Sequence, residues 1–241
     1  MTRSTAITAP ASPAPTDRVS VLYIVRHGET QWNVAGRVQG HGDSPLTTRG
    51  QAQARANGAL LARLGGVVEM RVSPLGRTRQ TAALLLEQHP EPHPRVSFEP
   101  ALMERHSGTW EGLTGAQIAA RDPALWDVRN DDPYHHRPPG GESHVDLEHR
   151  TAELVAELQA HLAGRGSASG PVAVVTHGVL GRVLIKRLLG LDPTEAMRVL
   201  QPNHLVYRLE AKAVGPDAGQ SDIMVSHFLN GRGPRPGLMR H

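Results

Sequence analysis

The chain has 241 residues, 26 lysines plus arginines against 23 acids, and no cysteine, which excludes disulfides, thiolate metal sites and a cysteine nucleophile. Its residues are 39% hydrophobic but only 3% aromatic, so a core of one substantial domain must be mostly aliphatic. The positive charge is arginine scattered along the chain, with Lys186 and Lys212 the two lysines, and lacks the clustered basic stripe of a nucleic-acid surface.

No apolar run approaches the ~18 residues of a membrane span. Residues 1–18 are rich in proline, alanine, serine and threonine without an apolar signal region, and read as a disordered leader. The expectation is a cytoplasmic protein with no membrane and no nucleic-acid partner, organised as one catalytic domain over 19–230. A glycine- and proline-rich tail at 231–241 is expected to be flexible. Assembly of several identical copies is left open.

Val21 to Val25 is an apolar, β-branched run that stops at Arg26-His27-Gly28. A buried parallel strand delivers polar side chains to the carboxyl edge of its sheet in this way. A glycine-bearing loop follows from Gln31 to Pro45, then a helix capped by Thr47 or Thr48 and running to about Leu64. Val67 to Val72 reads as a strand ending at Ser73-Pro74, and Gly76 to Gln88 as a helix. Arg95 to Phe98 is a short strand. Ala101 to Thr114 fits no period and mixes charges with glycines, as functional loops do.

A short helix is expected over Gly115 to Arg121. Asp122 to Gly141 holds four prolines and reads as an excursion or lid. Ser143 to Asp146 resembles a capping box that opens one helix to about Leu162. Val172 to Thr176 is a second fully apolar strand, and it too ends in His-Gly, at His177-Gly178. A helix over Val179 to Leu189 and closing strands at Leu205 to Leu209 and Ile223 to Phe228 complete the pattern. Alternating strands and helices imply a three-layer α/β/α sandwich around a mostly parallel sheet.

Two strands ending in His-Gly bring His27 and His177 to one sheet edge. Arg77, near a helix start after Ser73-Pro74, adds a second guanidinium to Arg26. Two guanidiniums and two imidazoles around one point suit phosphoryl transfer, because guanidinium forks match phosphate oxygens. A neutral imidazole can attack phosphorus, and the arginines would keep His27 unprotonated. The departing oxygen needs a separate acid, and Glu104 is the candidate over Glu111 of the same loop. His135, His136, His144 and His149 lie in a proline-rich stretch and a helix start, and read as solvated surface rather than a metal site.

These segments together resemble the histidine phosphatase superfamily, also called phosphoglycerate-mutase-like. The resemblance rests on Arg26 to Thr30 with Trp32-Asn33, Ser73-Pro74-Leu75 with Arg77, the Glu104 to Gly112 loop, and Thr176-His177-Gly178, in that order. It implies that His27 is phosphorylated in a pocket formed by Arg26, Arg77 and His177. It also implies that Glu104 donates a proton and then activates water, that Asn33, Gln39 and Gly40 line the substrate side, and that no metal or other cofactor takes part. The substrate would be a small phosphate monoester. Mutases of this family carry a longer insertion after the acid loop, with adjacent arginines that hold a phosphoglycerate carboxylate. Here Arg129 and Arg137 are not adjacent, and the expectation is a phosphatase. A bisphosphoglycerate-dependent mutase and a non-catalytic phospho-ligand binding module are the alternatives.

Overall fold

The computed structural model describes residues 19–212 and 223–240, so the expected leader at 1–18 lies outside the described residues. Within them, a seven-stranded sheet runs in the order β3-β2-β4-β1-β5-β6-β7. Its parallel half is β1 (Val19–Arg26), β2 (Glu69–Val72), β3 (Arg95–Phe98) and β4 (Val172–Thr176). Strands β5 (Leu205–Lys212), β6 (Ile223–Leu229) and β7 (Arg232–Pro236) extend it antiparallel from β1. The stretch 231–241 was expected as a flexible tail. It instead contributes β7, whose prolines are tolerated because the strand lies on the sheet edge.

Helices cover both faces. On one side, α2 (Thr48–Arg63) and α3 (Gly76–Leu86) pack over an apolar layer that includes Tyr23, Val25, Leu61, Met70 and Val175. On the other, α6 (His144–Arg150), α7 (Ala152–Leu162) and α8 (Gly178–Leu189) cover Leu22, Ile24, Val174 and Leu209. Side chains of β1 and β4 alternate between these two layers, so both strands are buried on both faces, which accounts for their unbroken apolar sequence. Thr47 caps α2 by accepting from the Gly50 N–H at 2.9 Å, and α8 stops at Gly190 with φ +66°.

The excursion at 122–141 contains a helix, α5 (Pro123–Asp131), next to α4 (Gly115–Arg121). The single helix expected from Ser143 to Leu162 is two, broken at Thr151, which caps both pieces at φ −97°, ψ 3°. Two short helices carried no sequence signal: α1 (Gln31–Val34) and α9 (Pro193–Met197).

Register positions the site. Arg26 pairs with Thr176, and Val72 with Val175. His27, Ser73 and His177 are therefore the next residues off three neighbouring parallel strands, at their carboxyl ends.

Candidate active site

His27 is 2% exposed and fixed from three sides. Its backbone N–H donates to the Thr176 carbonyl at 2.9 Å, its own carbonyl accepts from Asn203 Nδ2 at 2.8 Å, and the Gly28 N–H donates to Thr81 Oγ1 at 3.0 Å. The ring nitrogen Nδ1 lies 2.8 Å from the Gly28 carbonyl. A carbonyl can only accept, so Nδ1 carries the proton and Nε2 presents a lone pair. Burial, then the charges of Arg26 and Arg77, hold the imidazole pKa well below 6.5, against the opposing Gly28 contact.

Close backbone approach sets this geometry. A Cβ on Gly28 would fall 2.3 Å from the Gly50 carbonyl oxygen, and one on Gly50 would fall 2.0 Å from that of Glu29. The first turn of α2 is thus seated directly on the nucleophile loop.

The His177 ring centroid lies 5.3 Å from that of His27, and its Nε2 is 2.8 Å from Ser73 Oγ. Its Nδ1 is buried without a partner. Burial first, then Arg77, His27 and Arg26, keeps it neutral far below 6.5.

Arg77 is 1% exposed, with Nη1 and Nη2 donating to the carbonyls of Gly42 and Gly40, each at 2.8 Å, and Nη1 also 3.2 Å from Asp43. Arg26 donates through Nη1 to the Gln201 carbonyl. Burial, with Arg77 and Arg182 nearby, lowers the Arg26 pKa to about 10 against the pull of Glu104, and the group stays charged at neutral pH. In both arginines Nε is buried without an acceptor among the described residues. The site therefore holds, beside an imidazole lone pair, two guanidinium Nε–H groups that meet no acceptor among the described residues.

Glu104 and Glu111 separate clearly. The carboxylate of Glu104 accepts from the N–H groups of Leu180 (3.0 Å), Val179 (3.2 Å) and Arg105 (2.8 Å), at the start of α8. A carboxylate suits the positive end of a helix. It also lies within electrostatic reach of Arg26 and Arg77. Glu111 instead accepts from the N–H groups of His41 (2.8 Å), Gly42 (2.9 Å) and Ser107 (3.0 Å). It holds the loop whose carbonyls grip Arg77.

Gly40 has φ +57°, and a Cβ there would meet the Glu111 carboxylate at 2.0 Å, so the tight turn requires glycine. Gln39 is buried, and its Oε1 accepts from Thr30 Oγ1 at 3.1 Å. The Oδ1 of Asn33 accepts from the Thr30 N–H in the capping box of α1, and from Asn203 Nδ2 at 3.3 Å. The structure thus gathers Arg26, His27, Arg77, Glu104 and His177 around one point, and ties Asn33, Gln39 and Gly40 into the wall beside it.

Ser73, Thr81, Gly50, Gln201 and Asn203 support the site without having been singled out for it. Thr81 had a signal, lying one helical turn after Arg77. Gln201 and Asn203 had none. The solvated-surface reading of the histidines fails at two positions: His136 is 8% exposed and stacks on Trp110 at 5.1 Å, and His144 is 3% exposed and stacks on Tyr134 at 5.0 Å. No helix among the described residues is long and apolar enough to cross a membrane.

Comparison with known proteins gives a consistent family. Residues 22–220 match the model of the histidine phosphatase superfamily (branch 1). Glucosyl-3-phosphoglycerate phosphatase of Mycolicibacterium vanbaalenii is 36% identical over 185 residues, 72% of this chain and 76% of that protein. The 2,3-bisphosphoglycerate-dependent phosphoglycerate mutase 2 of Gloeobacter violaceus is 35% identical over 188 residues, 75% of this chain and 81% of that protein. A solved mycobacterial glucosyl-3-phosphoglycerate phosphatase in complex with VO3 superimposes with a TM-score of 0.66 at 34% identity, covering 79% of this chain and 92% of that one.

Proposed function

The chain belongs to branch 1 of the histidine phosphatase superfamily, and from that premise we propose that it hydrolyses a small phosphate monoester through a phosphohistidine at His27. The observation that carries the reading is the neutral His27 with Nε2 unprotonated, beside two arginines whose Nε–H groups find no acceptor among the described residues.

In the first step Nε2 attacks phosphorus while Arg26, Arg77 and His177 hold the phosphoryl oxygens. The N–P bond forms, the P–O bond to the alcohol breaks, and a proton from Glu104 goes to the departing oxygen. In the second, Glu104, now a carboxylate, takes a proton from water as the water oxygen attacks phosphorus. The N–P bond breaks, inorganic phosphate forms, and His27 recovers its lone pair.

Hydrolysis is favoured over return of the phosphoryl group to substrate by the fate of two arginines. Arg129 lies 5.0 Å over the Trp126 ring, and Arg137 pairs with Asp146. Neither is arranged as an adjacent clamp that would retain a phosphoglycerate for rephosphorylation.

The test is turnover of p-nitrophenyl phosphate with a chelator present. His27→Ala is expected to lose at least about a thousandfold in kcat, since the covalent route closes. Comparable turnover by that variant would remove His27 as nucleophile. Phosphoglycerate interconversion that depends on a bisphosphorylated primer would establish the mutase reading instead.

A further inference from the structure

Two of the residues that leave neighbouring strands at the site meet side chain to side chain. Ser73 follows β2 and His177 follows β4, with Val72 paired to Val175 just before them. The Ser73 N–H donates to the Val175 carbonyl at 3.0 Å, and its own carbonyl accepts from Thr78 Oγ1 at 2.8 Å, so the residue is held between the sheet and the start of α3. Both Ser73 and His177 are 0% exposed. The Ser73 Oγ lies 2.8 Å from His177 Nε2 and 3.5 Å from the Leu75 nitrogen, whose N–H it accepts.

The serine–histidine contact can run in two senses, which differ in what is left over. With the proton on Nε2, the ring would donate to Oγ, Leu75 would donate to it as well, and the serine's own hydrogen would have no acceptor where water does not reach. A doubly protonated ring would strand the same hydrogen. With the lone pair on Nε2, the hydroxyl donates to it and receives the Leu75 N–H, and both hydrogens are met. An unmet buried donor costs its full desolvation, so the second sense is the stable one. The ring proton then sits on Nδ1, which is buried and has no partner among the described residues. Burial first, and then the neighbouring Arg77, His27 and Arg26, keep the ring from taking a second proton.

We propose that Ser73 is a positioning residue whose hydroxyl locks His177 in the Nδ1–H tautomer, so that the ring meets the phosphoryl group as a hydrogen-bond donor. The proposal rests on the phosphatase reading and deepens it. The two imidazoles, with centroids 5.3 Å apart, are fixed in the same tautomer by opposite means. At His27 the Gly28 carbonyl accepts from Nδ1, which leaves the Nε2 lone pair for phosphorus. At His177 the Ser73 hydroxyl occupies Nε2, which leaves the Nδ1 proton for a phosphoryl oxygen. The partner of one ring nitrogen decides the state of the other. A neutral imidazole free in water carries its proton mainly on Nε2, so without the serine His177 would turn a lone pair toward an anion.

The experiment reads the ring nitrogens directly, by NMR of the chain carrying isotope-labelled histidine at neutral pH, with His177 assigned from the signals lost in His177→Asn. In the unmodified chain Nδ1 is expected to be protonated and Nε2 bare; a protonated Nε2 would overturn the proposal. Ser73→Ala should shift His177 toward the Nε2–H form and lower kcat/KM on p-nitrophenyl phosphate by about tenfold to a hundredfold, as loss of one aligned donor does. Ser73→Thr, which keeps the hydroxyl, should keep the tautomer and recover much of the rate. A Ser73→Ala chain that loses rate with His177 still protonated on Nδ1 would make the serine a packing residue and overturn its positioning role, as would an unchanged rate. Should Ser73→Ala fail to fold, the spectrum of the unmodified chain decides. Failure of the unmodified chain to hydrolyse any ester would overturn the phosphatase reading, while the spectrum still decides the tautomer.

Discussion

The buried imidazoles at positions 27, 144 and 177 carry pKa values below their ordinary 6.5. Each is neutral in the folded chain and takes up a proton on unfolding once the pH falls below 6.5. The unfolded state then binds more protons, so stability declines with acidification, by up to about 1.4 kcal/mol per pH unit for each group. For His144 the window runs from 6.5 down to about 3. Replacing it with phenylalanine, which keeps the stack on Tyr134, should remove its share. Urea midpoints at pH 7 and pH 5 should show His144→Phe losing up to about 2 kcal/mol less than the unmodified chain over that interval. An identical loss would mean that His144 is protonated in the folded state.

Glu111 makes the second prediction at this scale. It receives three backbone N–H groups and holds the loop that grips Arg77, so Glu111→Ala should raise KM for phosphate esters and lower kcat/KM about tenfold or more. Glu111→Gln, which keeps an acceptor, should recover much of that. Loss of kcat in both variants with KM unchanged would instead make Glu111 the proton donor. Legibility was uneven here. His27 and His177 stand out because each ends an apolar run, and Arg77 because it sits at a strand-to-helix junction. Glu104 and Glu111 share an irregular loop, and only their hydrogen-bond partners tell them apart. Asn203 reaches His27 across 176 residues, a relation that no local pattern encodes. The burial of His136 and His144 was hidden for a similar reason: aromatic partners cover them, and proline-rich surroundings suggested exposure.

Among the elements, the seat of α2 on the nucleophile loop is the most constrained. Gly50→Ala would push a methyl group into the Glu29 carbonyl, and neither backbone can retreat without moving the helix or the loop. The expected cost is about 1–3 kcal/mol of stability, with a fall in kcat because Gly28 and His27 shift together. Denaturant unfolding and steady-state kinetics on the same preparation check it, and an unchanged kcat would show that α2 yields while the loop stays put. Periodicity located most strands and helices to within a few residues. It missed the break at Thr151, where the hydroxyl donates back to the Leu147 carbonyl at 2.7 Å and the apolar stripe continues with a change of axis. It missed β7 because glycine, arginine and proline have no strand signature, yet an edge position accepts them.

At the scale of the molecule, the site draws on segments far apart in sequence, from Arg26 to Asn203, gathered at the carboxyl ends of the parallel strands. An anion that binds only the folded state should stabilise all of it. Inorganic phosphate at ten times its dissociation constant should add about 1.4 kcal/mol, which raises the melting temperature by about 3–6 °C. Arg77→Ala should abolish that shift, while an equal shift in the variant would place the phosphate elsewhere. The α/β/α layering was readable because alternating strands and helices of this kind have few ways to bury their apolar faces. The antiparallel half was less so, since closing strands after a parallel core leave their order to packing.

The central position of β1 has a bearing on how the protein is made. Its neighbours are β4 and β5, with Arg26 matched to Thr176 and Val25 to Val206. On the ribosome, the strand bearing the nucleophile emerges before either partner and waits, unmatched on both edges, until β4 and then β5 are translated. Such long-range pairing slows folding and leaves apolar edges open to association. Truncated products ending before β5 should therefore clump rather than work.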